Sequence, residues 1–313
     1  MIRFVHERLQ ANPLTLFDVG AKGGAIELPK LAPYSKCFAF EPNPDEFNKL
    51  IHSSRHANYA QLAHFEVALH DKTGTAELNI TNRASFASLF DLNEEVFKRH
   101  QGSMLMYESW VEDFIPVKKR EVRTITGKDF CREHGIDRID FLKLDTQGNE
   151  LHILRGCEDY IHKTGIIKCE VNFAPVYHNQ HVFSEIDLFL RDNGFEFVDC
   201  RFYETGVQET PSRKRKNKIY DRPRFATGGD AYYMSIVNPS DDWSLLKNGL
   251  VLAELGYLSE AYDCLSNYPH LTKDQVDVVI KDLSAKSVKA KVRNFMKNWI
   301  PPKLLWILKN LNR

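Results

Sequence analysis

Chemistry in this 313-residue chain is concentrated in a few short stretches. The densest is Asp18-Val-Gly20-Ala-Lys22-Gly23-Gly24, directly after the apolar run Leu14 to Val19. Glycines there let the backbone turn tightly and come close to a ligand. Glu41 closes the next apolar run, Lys36-Cys-Phe-Ala-Phe-Glu41, 23 residues after Asp18. An acidic residue in that place accepts the two hydroxyls of a bound ribose. Turn and strand-end acid together read as a nucleoside site at the C-terminal edge of a sheet. The plainer alternative is a tight βα turn beside a surface glutamate. The glycine spacing separates the ligands: a dinucleotide fingerprint runs G-x-G-x-x-G and aims a helix N-terminus at pyrophosphate. Here the spacing is G-x-x-G-G, with Asp18 two residues ahead of the first glycine. A carboxylate so close would repel a pyrophosphate but could orient a cationic aminoacyl or sulfonium ligand. S-adenosylmethionine carries both an ammonium and a sulfonium.

Positioning these groups requires alternating strands and helices. Strands are expected at Leu14–Val19, Lys36–Glu41, Leu62–Leu69, Ile139–Asp145, Gly165–Val171, Phe195–Phe202 and Ala231–Val237. Helices are expected at Pro44–Arg55, Glu150–Arg155 and Ser184–Asn193, the last with Ile186, Phe189 and Leu190 on one face. The stretch from Thr75 to Thr126 is less regular, with short strands at Thr75–Ile80 and Glu121–Ile125 around a helix near Leu92–His100. Such alternation implies an α/β fold with a largely parallel sheet and helices on both faces. No helical pattern separates the last two strands, and a strand pair without a crossover helix is most simply antiparallel. The long polar connection between them holds Arg213-Lys-Arg-Lys-Asn-Lys218, either a flexible solvated loop or a lid touching an acidic or phosphorylated acceptor. Further on, Leu245 to Tyr268 reads as two helices joined at Gly256 and resembles a single tetratricopeptide-type hairpin. One copy cannot bury its own face and must pack on the main domain or a partner.

These stretches resemble the FkbM-type S-adenosylmethionine-dependent methyltransferases. The resemblance is carried by Phe17–Gly24, Ala39-Phe-Glu-Pro-Asn-Pro44, Phe141-Leu-Lys-Leu-Asp-Thr-Gln-Gly-Asn-Glu-Leu151, Leu154-Arg-Gly156 and Ile167–Val171. Pro175–Gln180, Leu190–Phe195 and Gly229-Asp-Ala-Tyr232 also match, so coverage runs from about Leu14 to Val237. Lys22-Gly-Gly24 departs from the family's more usual Asn-x-Gly but keeps the glycine. The resemblance implies a class I methyltransferase (Rossmann-like) seven-stranded sheet of order 3-2-1-4-5-7-6, with strand 7 antiparallel. By the same analogy Asp18 and Gly20 would lie near the methionine moiety, Glu41 would hold the ribose, and Glu66-Val67-Ala68 would flank the adenine. Methyl transfer to a hydroxyl needs placement within about 3 Å and a base for the departing proton. Asp145, ending the fourth strand beside the expected methyl, is the first candidate. Glu170 and His178 are the alternatives, and an N-cap role competes for Asp145. Glu150 reads as a brace for the Gly148 turn. Asp145, Glu170 and a nearby amide could hold Mg²⁺, though nothing in the sequence supports a divalent metal over its absence.

The expected function is methyl transfer to a hydroxyl of a glycan, lipid-linked sugar or small sugar-containing metabolite. Two other classes remain: a nicotinamide-dependent sugar oxidoreductase, which the glycine spacing and final hairpin disfavour, and a non-catalytic adaptor on a degenerate methyltransferase fold. The absence of an Asp/Asn-Pro-Pro-Tyr/Phe/Trp segment weakens nucleobase methylation. With 43% hydrophobic and 27% charged residues the chain can build a core. The formal net charge is zero, but 283–313 carries eight Lys/Arg and no acidic residue, so the rest carries −8. That argues against nucleic acid as a general partner and allows one basic surface. Phe295, Trp299 and Trp306 beside lysines suit a lipid headgroup interface or a tail docked on the acidic body. The expected division is 1–238 for the catalytic domain and 239–313 for the helical hairpin and basic tail. With no apolar run near ~18 residues and no signal-like N-terminus, a cytoplasmic location is expected, peripheral to a membrane if the tail binds lipid. The six cysteines include no C-x-x-C pair and read as buried thiols.

Overall fold

A computed structural model describes residues 2–96, 113–202, 228–236 and 242–284. The basic loop at 213–218, the tail beyond Ser284 and the last four residues (97–100) of the helix expected near Leu92–His100 lie outside the described residues.

The chain opens with α1 (Arg3–Ala11), then β1 (Leu14–Val19), β2 (Ser35–Phe40), α2 (Pro44–Ile51) and β3 (Gln61–Phe65). β4 (Ala68–His70), β5 (Gly74–Thr81) and β6 (Pro116–Thr126) follow, then α3 (Gly127–Glu133), β7 (Ile139–Leu144), α4 (Glu150–Gly156) and β8 (Thr164–Asn172). The remainder is α5 (Phe183–Asp192), β9 (Phe195–Phe202), β10 (Gly228–Ser235), α6 (Asp242–Leu255), α7 (Leu258–Asn267) and α8 (Lys273–Ser284).

Seven strands form one sheet of order β3-β2-β1-β7-β8-β10-β9. β10 is antiparallel to both β8 and β9, and the other pairs are parallel. This is the expected order with its reversed last strand. Every residue of β7 is buried, as a central parallel strand covered on both faces requires. β1 shows how the period of two serves two cores. Phe17 and Val19 join a cluster with Phe130 of α3, Leu151 of α4 and Ile186 of α5. Leu14 and Leu16 join a second cluster with Val5 of α1 and Leu246 and Leu250 of α6.

The expected third strand, Leu62–Leu69, is instead two strands. Gln61–Phe65 is the edge of the main sheet, and Ala68–His70 pairs with β6 in a separate three-stranded sheet of order β4-β6-β5. Exposed Glu66 marks the break, after which Val67, Ala68 and Leu69 turn inward. α2 stops short of Arg55 because the Ser53 hydroxyl donates to Gly23 O (3.2 Å) and accepts from Arg55 N (3.1 Å). Such side-chain bonds compete with the helical ladder. α1, α3 and α8 are helices beyond those expected. α6 packs on the sheet rather than standing apart, and Gly249 lets α7 approach it: a Cβ there would lie 2.6 Å from Leu265 Cγ. Four cysteines are buried, and Cys200 and Cys264 are half-buried.

Candidate active site

Three strand ends converge because two backbone contacts force them together. The N–H groups of Gly20 and Ala21 both donate to Phe40 O (3.0 Å each), tying the turn after β1 to the end of β2. Asp145 N–H donates to Val19 O (3.1 Å), tying it to the end of β7. Gly20 has φ +79°, and a Cβ there would sit 2.0 Å from Asp145 O, so only glycine permits this crossing. The result is a cleft of about 300 Å³ at the C-terminal edge of the sheet. Asp18, Gly20, Gly24, Glu41, Ala68 and Asp145 line it, with apolar walls from Val67, Leu69, Leu78 and Leu89.

The charges in this cleft are mostly buried. Lys143 Nζ lies 3.1 Å from Asp18 Oδ1 and 3.4 Å from Asp145 Oδ2, and it donates to Gly20 O at 2.9 Å. Asp18 Oδ1 is inaccessible and makes no aligned hydrogen bond, so its contact with Lys143 is an ion pair only. Burial pushes the Asp18 carboxyl above its ordinary range, and Lys143 opposes that. Burial also works against the charge on Lys143, but the Asp18 and Asp145 carboxylates outweigh it and hold the ammonium protonated. Glu41 is pushed up to about 7 by burial, with Asn43 N–H on its Oε1 (2.9 Å) pulling the other way. Burial lowers Lys22, whose Nζ donates to Ser85 Oγ (3.2 Å) and lies 3.7 Å from Glu46. On the far wall Lys168 Nζ meets Glu27 Oε1 (3.0 Å) and Asp230 Oδ2 (3.5 Å).

The turn after β7 is held from several sides. Glu150 accepts from Thr146 N (2.8 Å), Thr146 Oγ1 (3.0 Å) and Gly148 N (3.0 Å), which is the bracing expected of it. Gln147, at φ +57°, donates to Glu170 Oε2 (2.7 Å) and accepts from Tyr177 OH at Oε1 (3.1 Å). Its carbonyl accepts from Ser88 Oγ (2.7 Å). Asp145 does not cap the following helix, whose N-cap residue is Asn149. Its side chain is 47% exposed at the cleft.

The structure therefore gathers Asp18, Gly20, Gly24, Glu41, Ala68 and Asp145. It sets Glu170 one residue back, behind Gln147. His178 is exposed and bonded through its backbone N–H to Asp91 O (2.8 Å), and Glu66 is exposed; neither lines the cleft. Among the described residues no three His, Cys, Asp or Glu side chains are grouped as metal ligands. Lys143, Glu27, Gln147 and Lys168 were missed. Lys143 had a signal, because a lysine inside an otherwise apolar central strand must find a buried partner.

A seven-stranded sheet with a reversed seventh strand, and a carboxylate-lined cleft where β1, β2 and β7 end, define a Rossmann-like methyltransferase fold. The methyltransferase FkbM domain family matches residues 18–197, more than half of the chain, and the chain belongs to that family. The chain is 28% identical over 167 residues to the 2-O-methyltransferase NoeI of Sinorhizobium fredii (strain NBRC 101917 / NGR234). That alignment covers 53% of this chain and 66% of NoeI, just under two thirds of the relative's length. Among solved structures, the magnesium protoporphyrin IX methyltransferase of Synechocystis PCC 6803 with bound SAM is 11% identical. It covers 74% of this chain and 78% of its own, at a TM-score of 0.35. A likeness that loose carries no argument, and the fold rests on the strand order above.

Proposed function

We propose that this protein is an S-adenosylmethionine-dependent O-methyltransferase acting on a hydroxyl of a glycan or sugar-containing metabolite. The observation that carries this reading is the meeting of Asp18, Glu41, Asp145 and Lys143 around one cleft with an apolar wall. Its donor set suits the methyl donor. Asp18 is a buried carboxyl lining the cleft, fit for the neighbourhood of an ammonium. Glu41 would accept from ribose hydroxyls, and Val67, Ala68 and Leu69 offer an apolar surface to adenine. When bound, S-adenosylmethionine supplies a methyl carbon attached to a sulfonium leaving group.

Asp145 then serves as the base. It is half-exposed, lines the cleft, and is free of a capping role. It would take the proton of the acceptor hydroxyl as the oxygen attacks. Glu170 already accepts from Gln147 Nε2, which favours a bracing role for it. Family membership and the likeness to the 2-O-methyltransferase NoeI support an oxygen acceptor. Among the described residues no helix is long and apolar enough to cross a membrane. The composition of 283–313 supports peripheral contact with anionic headgroups, seen as vesicle binding that weakens with salt. The first test is calorimetric titration with S-adenosylhomocysteine; no binding at millimolar ligand would sink the donor reading. The second is methyl labelling of fractionated glycans, lipids and small metabolites, where label confined to protein or nucleic acid would overturn the acceptor class.

A further inference from the structure

The loop from Gly20 to Ala32 has two sides. Lys22, Gly24, Ile26 and Glu27 line the cleft, whereas Ala25, Leu28 and Leu31 are buried in the core shared with α6, α7 and α8, and Ala21 borders both. The loop is not held by its own secondary structure, and Leu28 sits at φ +47°, a region that L side chains enter only when the surroundings impose it. Ala25 N–H donates to His56 Nδ1 (3.1 Å), Ala57 N–H to Ala25 O (2.8 Å) and Tyr59 OH to Glu27 O (2.6 Å) in the middle of the loop, and α6 holds its far end. Glu254 receives two consecutive backbone N–H groups, Lys30 N on Oε1 (2.6 Å) and Leu31 N on Oε2 (2.9 Å). Lys30 in turn donates from Nζ to the carbonyls of Asp282 and Leu283 at the end of α8 (2.9 Å to Leu283). Arg201, Tyr257 and Tyr268 make other links between the helices and the body, but none of them touches this loop.

We propose that Glu254, in a helix outside the matched family segment, is a positioning residue of the methyl-donor site, holding through Lys30 and Leu31 the loop whose other side lines the cleft. The three C-terminal helices are then part of the donor site's construction and not only a packed appendage. A bidentate carboxylate fixes two neighbouring peptide planes at once, which a single neutral hydrogen bond cannot do. Loss of it leaves two N–H groups without their charged acceptor and lets Ile26 and Glu27 shift relative to Lys168. The inference rests on the reading of the cleft as the donor site.

The test compares Glu254→Ala and Glu254→Gln with Leu265→Ala, which cavitates the same helical unit at the α6–α7 contact and leaves the Glu254 hydrogen bonds in place. S-adenosylhomocysteine affinity and thermal midpoint are measured on each full-length protein. Glu254→Ala is expected to weaken binding about tenfold, Glu254→Gln somewhat less, while Leu265→Ala loses as much thermal stability and keeps the wild-type Kd. A KM increase for the donor with little change in kcat should accompany the weaker binding. If Glu254→Ala does not fold, Glu254→Gln against the same control decides the matter. A Kd within twofold of wild type in the Glu254 variants, or equal weakening in Leu265→Ala, overturns the proposal. Wild-type protein that binds no S-adenosylhomocysteine overturns the donor reading beneath it, a distinct result.

Discussion

Strand β7 holds two buried lysine–aspartate pairs, one toward each end of the sheet, and they differ in what they leave unsatisfied. At the lower end Asp140 accepts from Lys247 Nζ (2.9 Å), Thr15 N (2.8 Å) and Arg138 Nε (2.7 Å). Lys247 of α6 spends its remaining donors on Asn12 Oδ1 (3.1 Å) and Pro13 O (3.0 Å). At the upper end, three residues along, Lys143 faces Asp18, whose Oδ1 makes no aligned hydrogen bond, and Asp145, which stands half in solvent. Burying charge is costly in both places. The lower network satisfies its members completely and closes the C-terminal helices onto the sheet. The upper one keeps capacity in reserve, which is what a site for a cationic ligand and a mobile proton requires.

The sharpest way to break this comparison is at Asp145. Asp145→Asn removes the proposed base but keeps its shape, and turnover is expected to fall by about two to four orders of magnitude. The thermal midpoint should hardly move, since the side chain is half-exposed. Turnover within tenfold of wild type, together with a dead Glu170→Gln, would transfer the role to Glu170. The lower pair should behave the opposite way. Lys247→Met leaves Asp140 buried with Arg138 as its remaining cation, and urea unfolding is expected to show a loss of about 3–5 kcal/mol. A loss under 1 kcal/mol would mean that the lower network is not structural.

Glu41 belongs to the upper side but reports through pH. Its folded pKa of about 7 lies above the ordinary 4.5, so the folded state holds its proton more tightly than the unfolded chain. The stability this contributes is full below pH 4.5 and is lost as pH rises through about 7, an effect of about 3 kcal/mol at most. Glu41→Gln should flatten that slope in the ligand-free protein and weaken S-adenosylhomocysteine binding. An unchanged slope would show that Glu41 ionises like an exposed glutamate.

The upper site was more legible in the sequence than the lower one, for a physical reason. Asp18, Gly20 and Glu41 lie at ends of apolar runs, where local pattern alone puts them on the reactive edge of a sheet. Asp145 and the bracing Glu150 follow from the turn after β7. Lys143 was harder to place, because its partners are brought by β1 and by its own strand end, and only the sheet order makes them neighbours. Lys247 reads as one polar residue in a helix until α6 is seen against Asn12 and Asp140. The split of Leu62–Leu69 into two sheets was hidden for a similar cause. Nothing local distinguishes a continuous strand from one that changes partners at Glu66, and the partner, β6, lies some fifty residues away. The loop at Gly20–Ala32 likewise shows its glycines in sequence but not Glu254, which reaches it from 223 residues along the chain.

The smallest expected effect is the most diagnostic of the difference between the two pairs. Lys143 is faced by Asp18 from β1, Asp145 from its own strand end, Glu27 from the loop and Glu41 from β2. Lys143→Met removes the cation that opposes the burial of Asp18, so the Asp18 carboxyl, already raised by burial, rises further. On the proposed reading, which sets Asp18 beside the ammonium of the methyl donor, S-adenosylmethionine binding should weaken about tenfold at pH 7 and recover as pH rises above it. Titrations across that range should show the recovery for Lys143→Met and a flat profile for wild type, whose Asp18 keeps its ion pair. A loss independent of pH would make Lys143 a structural cation like Lys247, and the distinction between the two ends of β7 would fall.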